Sequence, residues 1–199
     1  MKKKHLFALC SFVALSACGG GSVTKKVLVI GRGGITATES DITMKDGSGY
    51  ADKTVEVMGD KAVAYNVTSP AGKTAINVPA ENGFYILNLR KDTIVGSQQN
   101  LGTDLGGRTV SQEELKVKID SLIKLTTGSN VSGAAHNYMI LPNQLVKVSS
   151  NTEAKVFGPF TKIPGTLEAD KDGKAPEVYK FYTNTEMREL IANLKKQTI

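Results

Sequence analysis

Residues 53–90 read KTVEVMGDKAVAYNVTSPAGKTAINVPAENGFYILNLR, and four runs within them share one design. KTVEVMG, KAVAYNVT, KTAINVP and GFYILNLR are short, rich in Val, Ile, Thr and Tyr, and bounded by turn residues. That is the pattern of strands whose successive side chains point to opposite faces. Between them GDK, SPAG and ENG supply the positive-φ and proline geometries that tight turns require. Short strands joined by tight turns predict an antiparallel meander, curved or of half-barrel form. In FYILNLR, Tyr85, Leu87 and Leu89 share one face and Phe84, Ile86, Asn88 and Arg90 the other, so one face reads as core and the other as mixed.

The same grammar extends both ways. Upstream, KKVLVIG and ITATESDITM read as strands, with KDGSG as a turn. Downstream, the polar loop QQNLGTDLGGRT leads into a helix that opens on a capping box, Ser111 with Glu114. Leu115, Ile119, Leu122 and Ile123 give that helix an apolar face, and Gly128 stops it. After the loop GSNVSGAAHN come YMILPNQLVKVS, AKVFGPFTKIP, GTLEA and EVYKFYT, strand-like runs interrupted by Pro142, Pro159 and Pro164. A second capping box, Thr183 with Glu186, starts a last helix with the stripe Met187, Leu190, Ile191 and Leu194. Its acids come early and Lys195 and Lys196 late, as the helix dipole favours. The predicted class is α+β: a strand-rich antiparallel sheet with two packed amphipathic helices. Residues 24–199 read as a single domain, with a sub-boundary near residue 100 as the alternative.

The chain opens MKKKHLFALCSFVALSA, with three lysines, an apolar run from Leu6 to Leu15 and then small residues. Residues 1–17 have the layout of a secretory signal peptide. The run falls short of the roughly 20 residues that span a bilayer as a helix. Leu15-Ser16-Ala17-Cys18 is similar to the cleavage signal of bacterial prolipoproteins. That resemblance implies cleavage before Cys18 and acylation of its sulfur and new amino group, so that several acyl chains hold the protein to a membrane. Residues 18–23, with Gly19-Gly20-Gly21-Ser22, then act as a flexible tether. Gly19 is not the aspartate that retains some members of the family at the inner membrane, and no acidic cluster follows. The resemblance therefore implies the periplasmic face of the outer membrane, and it says nothing of the remaining chain.

Composition narrows the chemistry. The two cysteines are Cys10 and Cys18, so a domain beginning at residue 24 has no cysteine nucleophile, thiolate metal site or disulfide. The net charge of +6 includes Lys2, Lys3 and Lys4 of the signal. What remains is mildly basic and implies no nucleic-acid partner.

Three motif-like stretches dissolve on counting. VLVIGRGGITA has Thr36 where a dinucleotide-binding turn needs its third glycine, and strand follows instead of helix. SPAGKTAI ends like a phosphate loop, but Val67 stands where its first glycine belongs. In EADKDGKAPE, Asp172-Gly173 breaks the register of a calcium loop and reads as a hairpin turn. No cofactor or metal is expected.

Function is then read in three ways. The leading expectation is a lipid-anchored protein with a non-catalytic binding or structural role, its partner a hydrophobic ligand, a peptide or another envelope protein. Phe157, Phe160, Tyr179, Phe181 and Tyr182 are the aromatic residues that would line a pocket, unless they serve core packing. A hydrolase would have to use His136, with Ser129 or Ser132 nearby; it needs a serine hydroxyl on the imidazole and a carboxylate behind it. Finally, GTDLGGRTVSQEELKVKI resembles the peptidoglycan-binding module of outer-membrane proteins through Thr103, Asp104 and Gly106 or Gly107. That resemblance implies a tethering role for Asp104. Lys116 and Lys118 replace the arginine expected on the helix, and Arg108 precedes it.

Overall fold

The computed structural model describes residues 22–100, 111–169 and 173–197. Among the described residues twelve strands form three four-stranded sheets, and two helices complete an α+β fold. The central sheet runs β10 (Leu145–Ser149), β7 (Gly83–Asn88), β1 (Val23–Arg32), β4 (Tyr50–Met58). An outer sheet runs β2 (Ile35–Ala37), β3 (Asp41–Met44), β5 (Val63–Ser69), β6 (Gly72–Val78). The third runs β11 (Lys155–Phe157), β12 (Val178–Thr183), β8 (Ile94–Gln99), β9 (Asn137–Ile140), and α1 (Gln112–Thr126) and α2 (Asn184–Lys195) cover it.

Three cores hold the layers together. Val27, Val29, Tyr85 and Leu87 of the central sheet pack against Ile42, Tyr65 and Val67 of the outer one. On the opposite face Leu28, Ile30, Phe84 and Ile86 meet Ile94, Ile140, Tyr179 and Phe181 of the third sheet. Val95 on that sheet's far side packs on Ile119 and Leu125 of α1 and on Met187 and Ile191 of α2. The order is outer sheet, central sheet, third sheet, helices.

This stack explains where the sequence pattern departs from the structure. VLVI and FYIL are continuous apolar runs because β1 and β7 are buried on both faces, as central strands are. They pair in parallel, from Lys25 with Gly83 to Ile30 with Asn88. A parallel pair needs a crossover, and the outer sheet is part of it. So strands β1 to β7 do not follow one another in a single meander. SPAG does close a hairpin, β5 to β6, with Ser69 opposite Gly72. GDK and ENG instead carry the chain between sheets. The fully buried Lys25 holds the GDK bend through its ammonium, 2.8 Å from both the Gly59 and Lys61 carbonyls. Asn88 and Arg90 lie buried rather than on a mixed, half-wet face.

Both capping boxes form. Ser111 Oγ accepts from Glu114 N–H and Thr183 Oγ1 from Glu186 N–H, each at 3.1 Å, and both glutamates reach back. ITATESDITM is broken at Thr38 to Ser40 into β2 and β3, GTLEA forms no strand, and IVGSQQ adds β8. Among the described residues no helix is long and apolar enough to cross a membrane.

Candidate functional site

His136 sits just before β9 in the left-handed region, φ 52°, and its carbonyl accepts from Gln98 N–H of β8 at 3.1 Å. Gln98 also pairs with Tyr179 of β12 on its other side. The register of three neighbouring strands therefore sets His136 and Tyr179 across one residue of β8. His136 Nδ1 lies 3.1 Å from the Tyr179 hydroxyl oxygen.

The chain of contacts continues. Glu177 is two residues before Tyr179 and so falls on the same side of the extended chain. Its Oε1 accepts the Tyr179 hydroxyl, and its Oε2 accepts Ser149 Oγ at 2.8 Å. Ser149 ends β10 in the central sheet, and its Oγ in turn accepts Asn151 N–H at 2.9 Å. Tyr138 closes the floor by donating to the Val148 carbonyl at 2.7 Å, with its ring edge-on to Tyr179. The result is a hydrogen-bonded series His136–Tyr179–Glu177–Ser149 that bridges two sheets. It lies beneath an open groove of about 440 Å³, lined also by Lys147 and Asn151.

Proton positions follow from donor counts. Burial and the bond to Glu177 push the Tyr179 hydroxyl well above the usual phenol range, so it stays protonated. Its one proton goes to Glu177, so His136 Nδ1 must be the donor to the tyrosine oxygen. In the neutral imidazole the Nε2 lone pair is then left without a protein partner among the described residues.

The hydrolase arrangement asked for a serine on the imidazole. Here a tyrosine occupies that place, and the serine hydroxyl donates to the carboxylate at the other end. The aromatic group does not gather around one pocket. Tyr179 and Phe181 are fully buried between the central and third sheets, while Tyr182, one residue on, points to the helices, as strand alternation dictates. Phe157 is half-buried on β11, and Phe160 is 57% exposed. Cys18 and Asp104 lie outside the described residues, as does Arg108. In the sequence Glu177 stands out only as an acid of EADKDGKAPE, weighed there as part of a calcium loop, and Ser149 only as the end of a strand-like run; the trace of their joint role is the Glu-x-Tyr alternation at 177–179, because the serine arrives from another sheet.

Compared with known proteins, the chain matches no family model, no curated protein and no solved structure.

Proposed function

We propose that this chain is a lipid-anchored protein of the bacterial envelope with a binding role and no catalytic one. Cys18 is its attachment point, and the groove at His136 receives a peptide-like ligand or a loop of an envelope partner. The observation that carries the reading is the order of partners in the buried series. Ser149 and Tyr179 both donate to Glu177, and the imidazole meets the Tyr179 hydroxyl rather than a serine, so Ser149 has no base in the imidazole. Polar residues held by the fold line the groove: His136, Lys147, whose ammonium is 3.1 Å from Glu81 Oε2, and Asn151, whose Oδ1 accepts Glu153 N–H at 2.9 Å. Such an array suits recognition of a polar backbone.

An open groove fits an extended segment better than an acyl chain. The three cores are filled by their own side chains, Tyr85, Tyr179 and Phe181 among the largest, so a hydrophobic ligand finds its contacts at the surface. Location supports the anchor as well. Lys25 pairs with Gly83, and Phe84 next to it pairs with Ser149, so the groove lies at the end of the stack where β1 starts. Five residues from Cys18 to Ser22 span at most about 17 Å, which keeps that end near the bilayer.

Two measurements test the proposal. Labelled palmitate should enter the full chain and the protein should pellet with membranes, both effects vanishing in Cys18→Ser. A serine-directed fluorophosphonate should leave the protein unlabelled; labelling that disappears in Ser149→Ala would establish the hydrolase reading instead.

A further inference from the structure

At the end of the stack opposite His136, β1 finishes at Arg32 and β7 at Asn88. The fully buried Asn88 carboxamide donates to the Asp92 carbonyl at 2.9 Å and the Ile140 carbonyl at 3.1 Å, and accepts Arg90 N–H at 3.0 Å. That bracing turns Arg90 back into the protein, leaving its side chain only 4% exposed. Among the described residues one of its five N–H donors is met by a protein acceptor: Nη2 donates to Asp92 Oδ2 at 3.0 Å. Nε is sealed and has no acceptor, and Nη1 has none among the described residues. Buried donors are almost always satisfied, and since the sealed Nε is out of a ligand's reach, the spare capacity that calls for an explanation is that of Nη1 and the second Nη2 hydrogen.

Phe160 completes the arrangement. Its ring lies 5.6 Å over the guanidinium carbon, and its backbone is held in the left-handed region, φ 60°, by Glu186 Oε1 accepting its N–H at 2.7 Å. Beside Arg90 opens a pocket of about 350 Å³, at the small end of the range for ligand sites. Four cations line it, Arg32, Lys45, Arg90 and Lys91, against two carboxylates, Asp46 and Asp92. Met44, Pro70 and Leu89 form its apolar wall.

We infer that this pocket binds a small carboxylate with an apolar stem, the carboxylate on the Arg90 and Arg32 guanidiniums and the stem against Met44, Pro70 and Leu89. A planar fork is the matching partner for a carboxylate. Asp92 Oδ2 sits 3.0 Å from Arg90 Nη2 and 3.5 Å from Arg32 Nη2, so the protein's own carboxylate competes for both. The site is independent of the groove at His136. A peptide C-terminus and a short aliphatic acid offer the same chemistry.

The test is a titration of the full chain with hexanoate, with Ala-Ala-Leu and with its C-terminal amide, followed by the Arg90 Nε–H resonance. The free acids should shift it and the amide should bind at least about tenfold more weakly. Asp92→Asn should tighten binding and Arg32→Gln, at a half-exposed position, weaken it, each by about three- to tenfold. Saturation by the peptide acid alone identifies a chain terminus as the ligand, and saturation by hexanoate too identifies aliphatic acids in general. Equal binding of acid and amide, no response to either acid, or an Arg32→Gln protein that binds as the parent does would overturn the inference.

Discussion

Ser149 and Glu177 tie two sheets together: the hydroxyl that ends β10 in the central sheet donates at 2.8 Å to the carboxylate standing one residue before β12 in the third. The same carboxylate accepts Tyr179, so one half-buried side chain satisfies two buried hydroxyls.

Removing that acceptor should therefore cost more than a surface charge normally does. Glu177→Ala leaves two hydroxyls unmet, and we expect a loss of about 2–4 kcal/mol. Glu177→Gln should lose only about 1 kcal/mol, because the carboxamide can still accept from Tyr179 while its NH₂ donates to Ser149. Urea midpoints at unchanged slope measure both. Equal losses for the two variants would show that shape, not hydrogen bonding, is what Glu177 supplies.

The imidazole should be a readable reporter, since the chain has just two histidines, His5 and His136. Nitrogen-15 spectra of the neutral ring should show the hydrogen on Nδ1 and the lone pair on Nε2. Tyr179→Phe removes the oxygen that fixes this choice, and the more usual Nε2–H form should then dominate. A parent protein already in the Nε2–H form would reverse the proton order drawn for the series.

All six tyrosines are pushed up from a phenol's ordinary 10.0, in each case chiefly by burial. The unfolded chain ionises near 10 while the folded one holds its protons. Stability from these groups is thus complete below pH 10 and declines above it, by up to about 1.4 kcal/mol per pH unit for each tyrosine. Tyrosinate absorbance near 295 nm should rise late and together with loss of circular dichroism. A gradual rise from pH 9.5 in folded protein would show that the rings are not shielded.

Much of this was legible in the residues. The capping boxes at Ser111 and Thr183 and the stripes that follow them depend on local chemistry, and local chemistry is what a linear pattern carries. SPAG joins two strands of one sheet, whereas GDK and ENG use similar residues to change sheets, because a turn fixes a bend and not the partner reached after it. The stacking left a clue that alternation alone hides: VLVI and FYIL are unbroken because both faces are buried. Of the candidate site, His136 could be found because the chain has just two histidines. Ser149 could not, since it meets Glu177 only through the packing of two sheets.

The third sheet's closeness to its own strands gives a sharper check on the layers. A methyl on Gly96 would fall 2.5 Å from the Lys180 carbonyl and from the Phe181 ring. Gly96→Ala should destabilise by about 1–3 kcal/mol through overpacking, seen as a lowered thermal midpoint. An unchanged midpoint would argue against this packing of β8 on β12.

The groove's role is tested most directly in intact cells, by placing a photo-crosslinking residue at Asn151, on its rim, and at Arg188, exposed on α2. A discrete adduct should form from Asn151 and not from Arg188, and it should fade when His136→Ala or Glu177→Gln is added to a protein that still folds. No adduct from Asn151, or one indifferent to both substitutions, would mean that the groove is not where this protein binds.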